Sequence, residues 1–226
     1  MARKEYQKRL SELRDDVLYM GEVVQERLRM ALSALESKDD DLAEEVIVRD
    51  SEVNDLYLEL ERQCTELIAR QQPVAGDLRF IAASFKIITD LERIADLATN
   101  LGKYTKQARR DVYPDVDVQA IGAVALEMIE AAMDAYADED VEACYAIDRR
   151  DDELDAMCER ASGTVVRDLI ETELGAGTDE GEIERLLSDV SRVLLTVRDL
   201  ERIGDHAVNI AARTLYMVEN DDELLY

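Results

Sequence analysis

Two stretches of this 226-residue chain carry nearly the same row of oxygen-bearing side chains. They are Asp90-Leu-Glu-Arg-Ile-Ala-Asp96-Leu-Ala-Thr-Asn100 and, 109 residues later, Asp199-Leu-Glu-Arg-Ile-Gly-Asp205-His-Ala-Val-Asn209. In each, a Glu, an Asp and an Asn fall at i, i+4 and i+8: Glu92, Asp96 and Asn100, then Glu201, Asp205 and Asn209. On a helix these positions share a face. A second pair of segments, Arg49-Asp50-Ser-Glu52-Val-Asn54 and Arg150-Asp151-Asp-Glu153-Leu-Asp155, matches at an offset of 101 and adds Asp50 with Asn54, and Asp151 with Asp155. Each half therefore offers five oxygen donors that converge if the two helices carrying them face each other. Carboxylates held close together raise one another's pKa, a conflict that a bound cation resolves. A donor set without His or Cys selects hard ions, magnesium, manganese, calcium or ferric iron, and ranks iron, manganese and magnesium ahead of zinc. An open-sited ion on such a surface can also hold phosphate. The plainer reading, in which Glu92 and Glu201 form interhelical ion pairs with their neighbours Arg93 and Arg202, does not explain why one polar row recurs where the surrounding positions have drifted.

Apolar residues at steps of three and four place these rows on long helices. Leu10, Leu13, Val17, Met20, Val24, Leu28, Ala31 and Leu35 predict a first helix over about residues 4–36, with the narrow stripe of a bundle seam. Asp39, Asp40 and Asp41 are cap candidates for a second helix, with Asp41 and Glu44 at capping-box spacing, running to about Gln71. Pro73 ends or bends it. A third helix from about Val74 to Ala108 carries the first motif, and Arg109 to Asp115, with Pro114, reads as a linker. The second half repeats the order: a helix over about residues 116–136, one capped by Asp138 that runs to about Leu169, and one that follows the Gly175-Ala-Gly177 turn, capped by Thr178 or Asp179. No strand precedes that turn, so it is no phosphate loop. The change of offset from 101 to 109 requires eight extra residues in the second half, placed most simply around Leu174 to Gly181. The fold class is all-α: two tandem three-helix bundles, residues 1–112 and 113–226, side by side in an elongated molecule.

Composition bounds the partners. Fifty-three acids against 27 bases give a formal net charge of −26, which repels nucleic acid. Such an acidic surface with few lysines suits a cytosol of very high salt, and predicts a halophilic source. Cys64, Cys144 and Cys158 are odd in number and lie on apolar stripes, so they read as reduced core residues. No apolar h-region opens the chain and no run of 18 apolar residues occurs, which predicts a cytoplasmic protein without membrane insertion. His206 is the single histidine, and the first half has Leu97 at the matching place, so it reads as a helix-surface residue.

The turn sequence Arg70-Gln-Gln-Pro73-Val-Ala-Gly-Asp77-Leu-Arg79, the paired Asp-Leu-Glu-Arg-Ile-x-Asp-x-x-x-Asn rows and the tandem layout together resemble the PhoU family of phosphate-uptake regulators, over the whole chain. The resemblance implies two PhoU repeats of three helices, each with a metal-binding surface of pattern acid-x-x-x-Asp. Here those surfaces fall on Glu92 and Asp96, Glu201 and Asp205, Asp151 and Asp155, and the imperfect pair Asp50 and Asn54. Asn54 replaces a carboxylate by a neutral oxygen, which predicts a weaker cation site in the first half. The second half has no counterpart of the turn sequence, which would make that turn a partner surface unique to the first half.

The family further implies a cytoplasmic, often dimeric adaptor that is not an enzyme. It would negatively regulate the high-affinity phosphate ABC transporter through its ATPase subunit, contribute to phosphate homeostasis and, in bacteria, signal to a sensor kinase. Two rivals stand beside it: a metal-dependent phosphatase or oxidase with an all-oxygen carboxylate site, and a metal-free helical scaffold. A ferritin-like oxidase site needs Glu-x-x-His on two helices, which one histidine cannot furnish.

Overall fold

The computed structural model describes residues 2–70, 73–107, 116–173 and 180–224. Among these, seven helices and no strands appear: α1 Ala2–Ser37, α2 Asp40–Val48, α3 Asp50–Arg70, α4 Ala75–Gln107, α5 Val118–Asp138, α6 Val141–Glu173 and α7 Glu180–Glu219. The expected six become seven because the middle helix of the first half breaks at Arg49, whose N–H still reaches Glu45 O at 3.1 Å. Val46, Ile47 and Val48 precede the break, three β-branched residues in succession, whereas the matching turn of α6 has only Ile147. Asp50 therefore opens a helix, where its carboxylate meets the positive end of the α3 dipole.

The caps also differ in detail from expectation. Asp39, not Asp41, caps α2, accepting from the N–H groups of Asp41 and Leu42 at 3.0 and 2.9 Å. Asp138 is the last residue of α5. Glu139 then takes a left-handed conformation (φ 57°), and Asp140 caps α6 by accepting from Ala143 N–H at 3.1 Å. The linker expected at 109–115, the boundary at 112/113 and the caps Thr178 and Asp179 lie outside the described residues.

Within the first half α1 packs on α3 and α4; within the second, α5 packs on α6 and α7. The halves join through α4 against α7 and α1 against α5. The predicted stripe of α1 is the seam: Leu13, Val17, Met20, Val24, Leu28 and Ala31 are fully buried. Close approach of α1 and α5 uses one glycine from each, since a Cβ on Gly21 would lie 2.7 Å from Met133 Cε and one on Gly122 would lie 2.3 Å from Leu32 Cδ2. Gly21 and Gly122 are 101 residues apart, as are Leu32 and Met133, so the two contacts are copies related by a pseudo-two-fold axis.

The α4–α7 contact is antiparallel and partly polar. His206 is buried there, contrary to the surface position expected of it: its Nδ1–H donates to Asp90 Oδ1 at 2.9 Å, and Asn209 Nδ2 adds a longer bond of 3.5 Å to the same oxygen. The matching Asp199 accepts from Tyr104 OH at 2.9 Å. Further along, Arg192 Nη1 donates to Gln107 O at 3.1 Å and closes the end of α4. A side chain that looks solvent-directed on its own helix is thus enclosed by a helix more than a hundred residues away.

The eight extra residues of the second half lie between Asp151 and Glu201, since Asp50 to Glu92 is 42 positions and Asp151 to Glu201 is 50. Within that stretch residues 174–179, where the insertion was expected, lie outside the described residues.

Leucine at position 206 would leave the buried Asp90 with only the Asn209 amide at 3.5 Å and the exposed Arg93 guanidinium at 3.9 Å. Urea denaturation of His206→Leu should show a loss of about 1–3 kcal/mol. The Asp90→Leu, His206→Leu double variant should recover most of it, because the buried carboxylate is gone and only the half-buried Asn209 amide loses a partner, over a bond already 3.5 Å long. With a charge of −26, thermal midpoints of the native protein should rise as KCl is increased from about 0.1 to about 2 M.

Candidate metal centres

Each half builds one acidic cluster between the middle and last helices of its bundle. In the first, α3 supplies Asp50 and Asn54, and α4 supplies Glu92 and Asp96. Asp50 is already well served by hydrogen bonds: Thr99 Oγ1–H donates to Oδ1 at 3.0 Å and Asn54 Nδ2 donates to Oδ2 at 3.1 Å. Burial raises the carboxyl pKa of Glu92, with Asp96 adding to the shift and Arg93 opposing it. Burial likewise raises Asp96, with Asp50 next in effect. Asn100 lies one turn further on, its Oδ1 accepting from Lys103 Nζ at 3.3 Å.

The second cluster has four carboxylates, Asp151 and Asp155 from α6 and Glu201 and Asp205 from α7. Burial, then the charges of Asp155 and Asp205, push Asp151 up to about 7. Asp155 is raised by burial and by Asp205, and Glu201 by burial, Asp155 and Asp205. The Cys158 thiol beneath them is pushed up to about 12 by burial and by the same carboxylates. A surface cavity of about 410 Å³ opens beside the cluster, lined by Asp152, Asp155, Cys158, Glu159, Ser162 and Glu201.

Asp151 distinguishes the two clusters. Its Oδ1 is buried and has no hydrogen-bond partner. The position that serves Asp50 in the first half, Thr99, is Val208 in the second, and Asn54 is Asp155. Gly204 gives the carboxylate its room: a Cβ there would lie 2.3 Å from Leu154 Cδ2 and 2.9 Å from Asp151 Oδ1. The first half has Ala95 at that place. A buried carboxylate oxygen without a donor costs free energy unless a cation or a proton meets it. The all-oxygen donor set thus fits a hard cation best in the second half. Among the described residues no three such side chains already close around a single point, so holding one ion requires rotation of the exposed carboxylates Asp155 and Asp205.

Eight of the ten expected donors therefore gather as two sets of four. Asn209 does not join them, since its amide donates across the α4–α7 contact to Asp90. Thr99 and Gly204 shape the clusters without having stood out in sequence, and His206, noted there as the single histidine, was not paired with Asp90. The signal that marks them is the set of positions at which the two motif copies differ: Thr99 against Val208, Ala95 against Gly204 and Leu97 against His206.

Comparison with known proteins places this geometry. The sequence profile of the PhoU domain matches residues 17–105 and again 118–214. The chain is 31% identical over 221 residues to the phosphate-specific transport system accessory protein PhoU homolog of Clostridium acetobutylicum, covering 96% of each chain. It is 32% identical to the accessory protein PhoU of Escherichia coli, covering 94% of this chain and 85% of that one. Methanothermobacter thermautotrophicus has a PhoU homolog 31% identical, with 94% of each chain covered. The crystal structure of PhoU from Pseudomonas aeruginosa superposes with a TM-score of 0.87 at 30% identity, covering 96% of this chain and 100% of that one.

A carboxyl that keeps its proton up to about pH 7 when folded, and to only about 3.9 when unfolded, makes the folded state the tighter proton binder between those values. Stability of the metal-free protein at Asp151 therefore falls as pH rises from about 4 to about 7 and levels off above. The amplitude is reduced by solvent, because Asp151 is only partly buried. With chelator present, the urea midpoint should drop between about pH 5 and 7.5, and Asp151→Asn should remove that residue's share of the slope.

Proposed function

The chain belongs to the PhoU domain family, and on that premise we propose that it is a metal-binding regulator that restrains a phosphate ABC transporter when phosphate is plentiful. Its membership with the accessory proteins of phosphate transport systems rests on full-length similarity, and the proposed partner is the transporter's ATPase subunit, met on the cytoplasmic side. Among the described residues no helix is long and apolar enough to cross a membrane. A long bundle surface of exposed helix faces suits docking onto other proteins. We propose no turnover for this chain, a homodimeric assembly as its working form, and a sensor kinase as a second partner should its source be bacterial.

The observation that carries the metal part is the unpartnered Asp151 Oδ1 among four carboxylates. Asp151, Asp155, Glu201 and Asp205 would hold the ion in the second half; Asp50, Asn54, Glu92 and Asp96 would hold one in the first. A bound hard cation supplies charge neutralisation and open coordination positions for an oxyanion. This chain's residues do the rest: Gly204 admits Asp151 to the wall of the cluster, and Thr99 and Asn54 occupy the lone pairs of Asp50 with hydrogen bonds. The second-half cluster is therefore the tighter site, and iron, manganese or magnesium its occupant ahead of zinc.

Elemental analysis of protein purified without chelator should find at least one transition or alkaline-earth ion per chain. Asp155→Ala, Glu201→Ala should lose most of it, and Glu92→Ala, Asp96→Ala less. Equal, near-zero content in all three would instead favour the metal-free scaffold. Cells lacking the protein should keep taking up phosphate when replete, and a protein that hydrolyses phosphate esters in a Glu201-dependent way would be an enzyme instead.

A further inference from the structure

Positions 99 and 208 lie one turn beyond 95 and 204 on the two motif helices, and they hold side chains of the same shape, threonine in the first half and valine in the second. A hydroxyl is the difference between them. Side chains on a helix lean toward its N-terminus, so residue 99 covers Ala95 and residue 208 covers Gly204. In the first half Thr99 Oγ1–H donates in that direction to Asp50 Oδ1 at 3.0 Å, while Asn54 Nδ2 donates to Oδ2. In the second half Asp151 Oδ1 lies 2.9 Å from where a Cβ on Gly204 would stand, on the side toward which Val208 leans. Val208 has no polar atom on its side chain, packs against the core, and leaves that buried oxygen unmet.

Packing does not choose between the two residues. Threonine and valine fill nearly equal volumes, and the layer beneath them is balanced as well, since buried Leu154 with Gly204 carries as many side-chain carbons as buried Val53 with Ala95. The exchange at 99 and 208 is therefore one of hydrogen bonding rather than of shape. A hydrogen bond to a carboxylate stabilises the ion-free protein, and a cation that arrives later gains that much less. An unmet buried oxygen does the reverse: it destabilises the ion-free protein by an amount that the cation returns. One side chain then moves stability and ion affinity in opposite directions.

We propose that the residue at 99 and 208 determines which half of the molecule takes a hard cation first: the Thr99 hydroxyl satisfies Asp50 in advance, whereas Val208 keeps Asp151 open, so that the second half gives up ion-free stability for affinity. This deepens the metal-binding reading and rests on it. A hydrogen bond can also orient a ligating carboxylate and so tighten its metal, as outer partners of metal ligands do. That opposite role for Thr99 predicts that stability and affinity change together, and the sign of the two changes separates the roles. Both oxygens of Asp50 accept hydrogen bonds while Asp151 Oδ1 accepts none, which favours the first role over the second.

The test titrates full-length protein, freed of metal and then of chelator, with Mn²⁺, and follows the free ion by its paramagnetic resonance. Each half is read alone: the second in a Glu92→Ala, Asp96→Ala background, the first in an Asp155→Ala, Glu201→Ala background. Val208→Thr should weaken the second-half site about tenfold, and Thr99→Val should tighten the first-half site about tenfold. With all the carboxylates in place and chelator present, Val208→Thr should raise the urea midpoint and Thr99→Val should lower it. Thr99→Ser, which keeps the hydroxyl, should leave first-half affinity unchanged. Affinity and midpoint moving in the same direction would overturn the proposal, as would an affinity that neither exchange alters. Uptake of Mn²⁺ that ignores residues 99 and 208 removes this proposal alone, whereas parent proteins that take up no Mn²⁺ in either half remove the metal-binding reading and the proposal together.

Discussion

The contact on which the rest depends is the antiparallel packing of α4 against α7, the two helices that carry the repeated motif. Each presents Asp90 or Asp199 to the other across a largely apolar seam, and each thereby turns its Glu and Asp, two and six residues further along, toward its own middle helix. Because the helical period is fixed, burying one face of the motif decides where the other points. The acidic clusters are therefore consequences of how the halves are joined as much as of each bundle's own packing.

The two joins are not equivalent, and neither are the clusters. His206 and Asn209 reach Asp90 from α7, while Asp199 is met by Tyr104 from α4. In the first cluster hydroxyl and amide donors answer Asp50; in the second, Val208 and Asp155 stand in their places and Asp151 is left unanswered. One fold used twice has thus produced one cluster whose middle-helix aspartate is satisfied and one whose counterpart retains unpaired negative charge. That charge requires a proton, a cation or a cost in stability.

Much of this was legible in the chain. The recurrence at 109 and 101 residues showed two halves, the steps of three and four showed long helices, and the α1 stripe from Leu13 to Ala31 is the buried seam that its spacing implied. Spacing also named the oxygen donors that each helix carries along one face. Periodicity within a helix reveals which side chains share a face, because that relation depends only on backbone geometry.

What periodicity leaves open is the identity of whatever stands opposite a face, and there the tertiary structure decided. His206 has the look of a surface residue until α4 closes over it; Asn209 continues the acidic row until Asp90 captures its amide. Thr99 and Gly204 set the difference between two otherwise matching clusters, yet each acts only through an atom brought near from about fifty residues away. The break at Arg49 is likewise an outcome of competition between local propensity and packing. From its residue types and spacing alone the chain determined its helices, its repeat and its supply of carboxylates; only the folded arrangement decided which of those carboxylates would be satisfied, because hydrogen bonds and charge repulsion depend on distances that spacing along one helix does not contain.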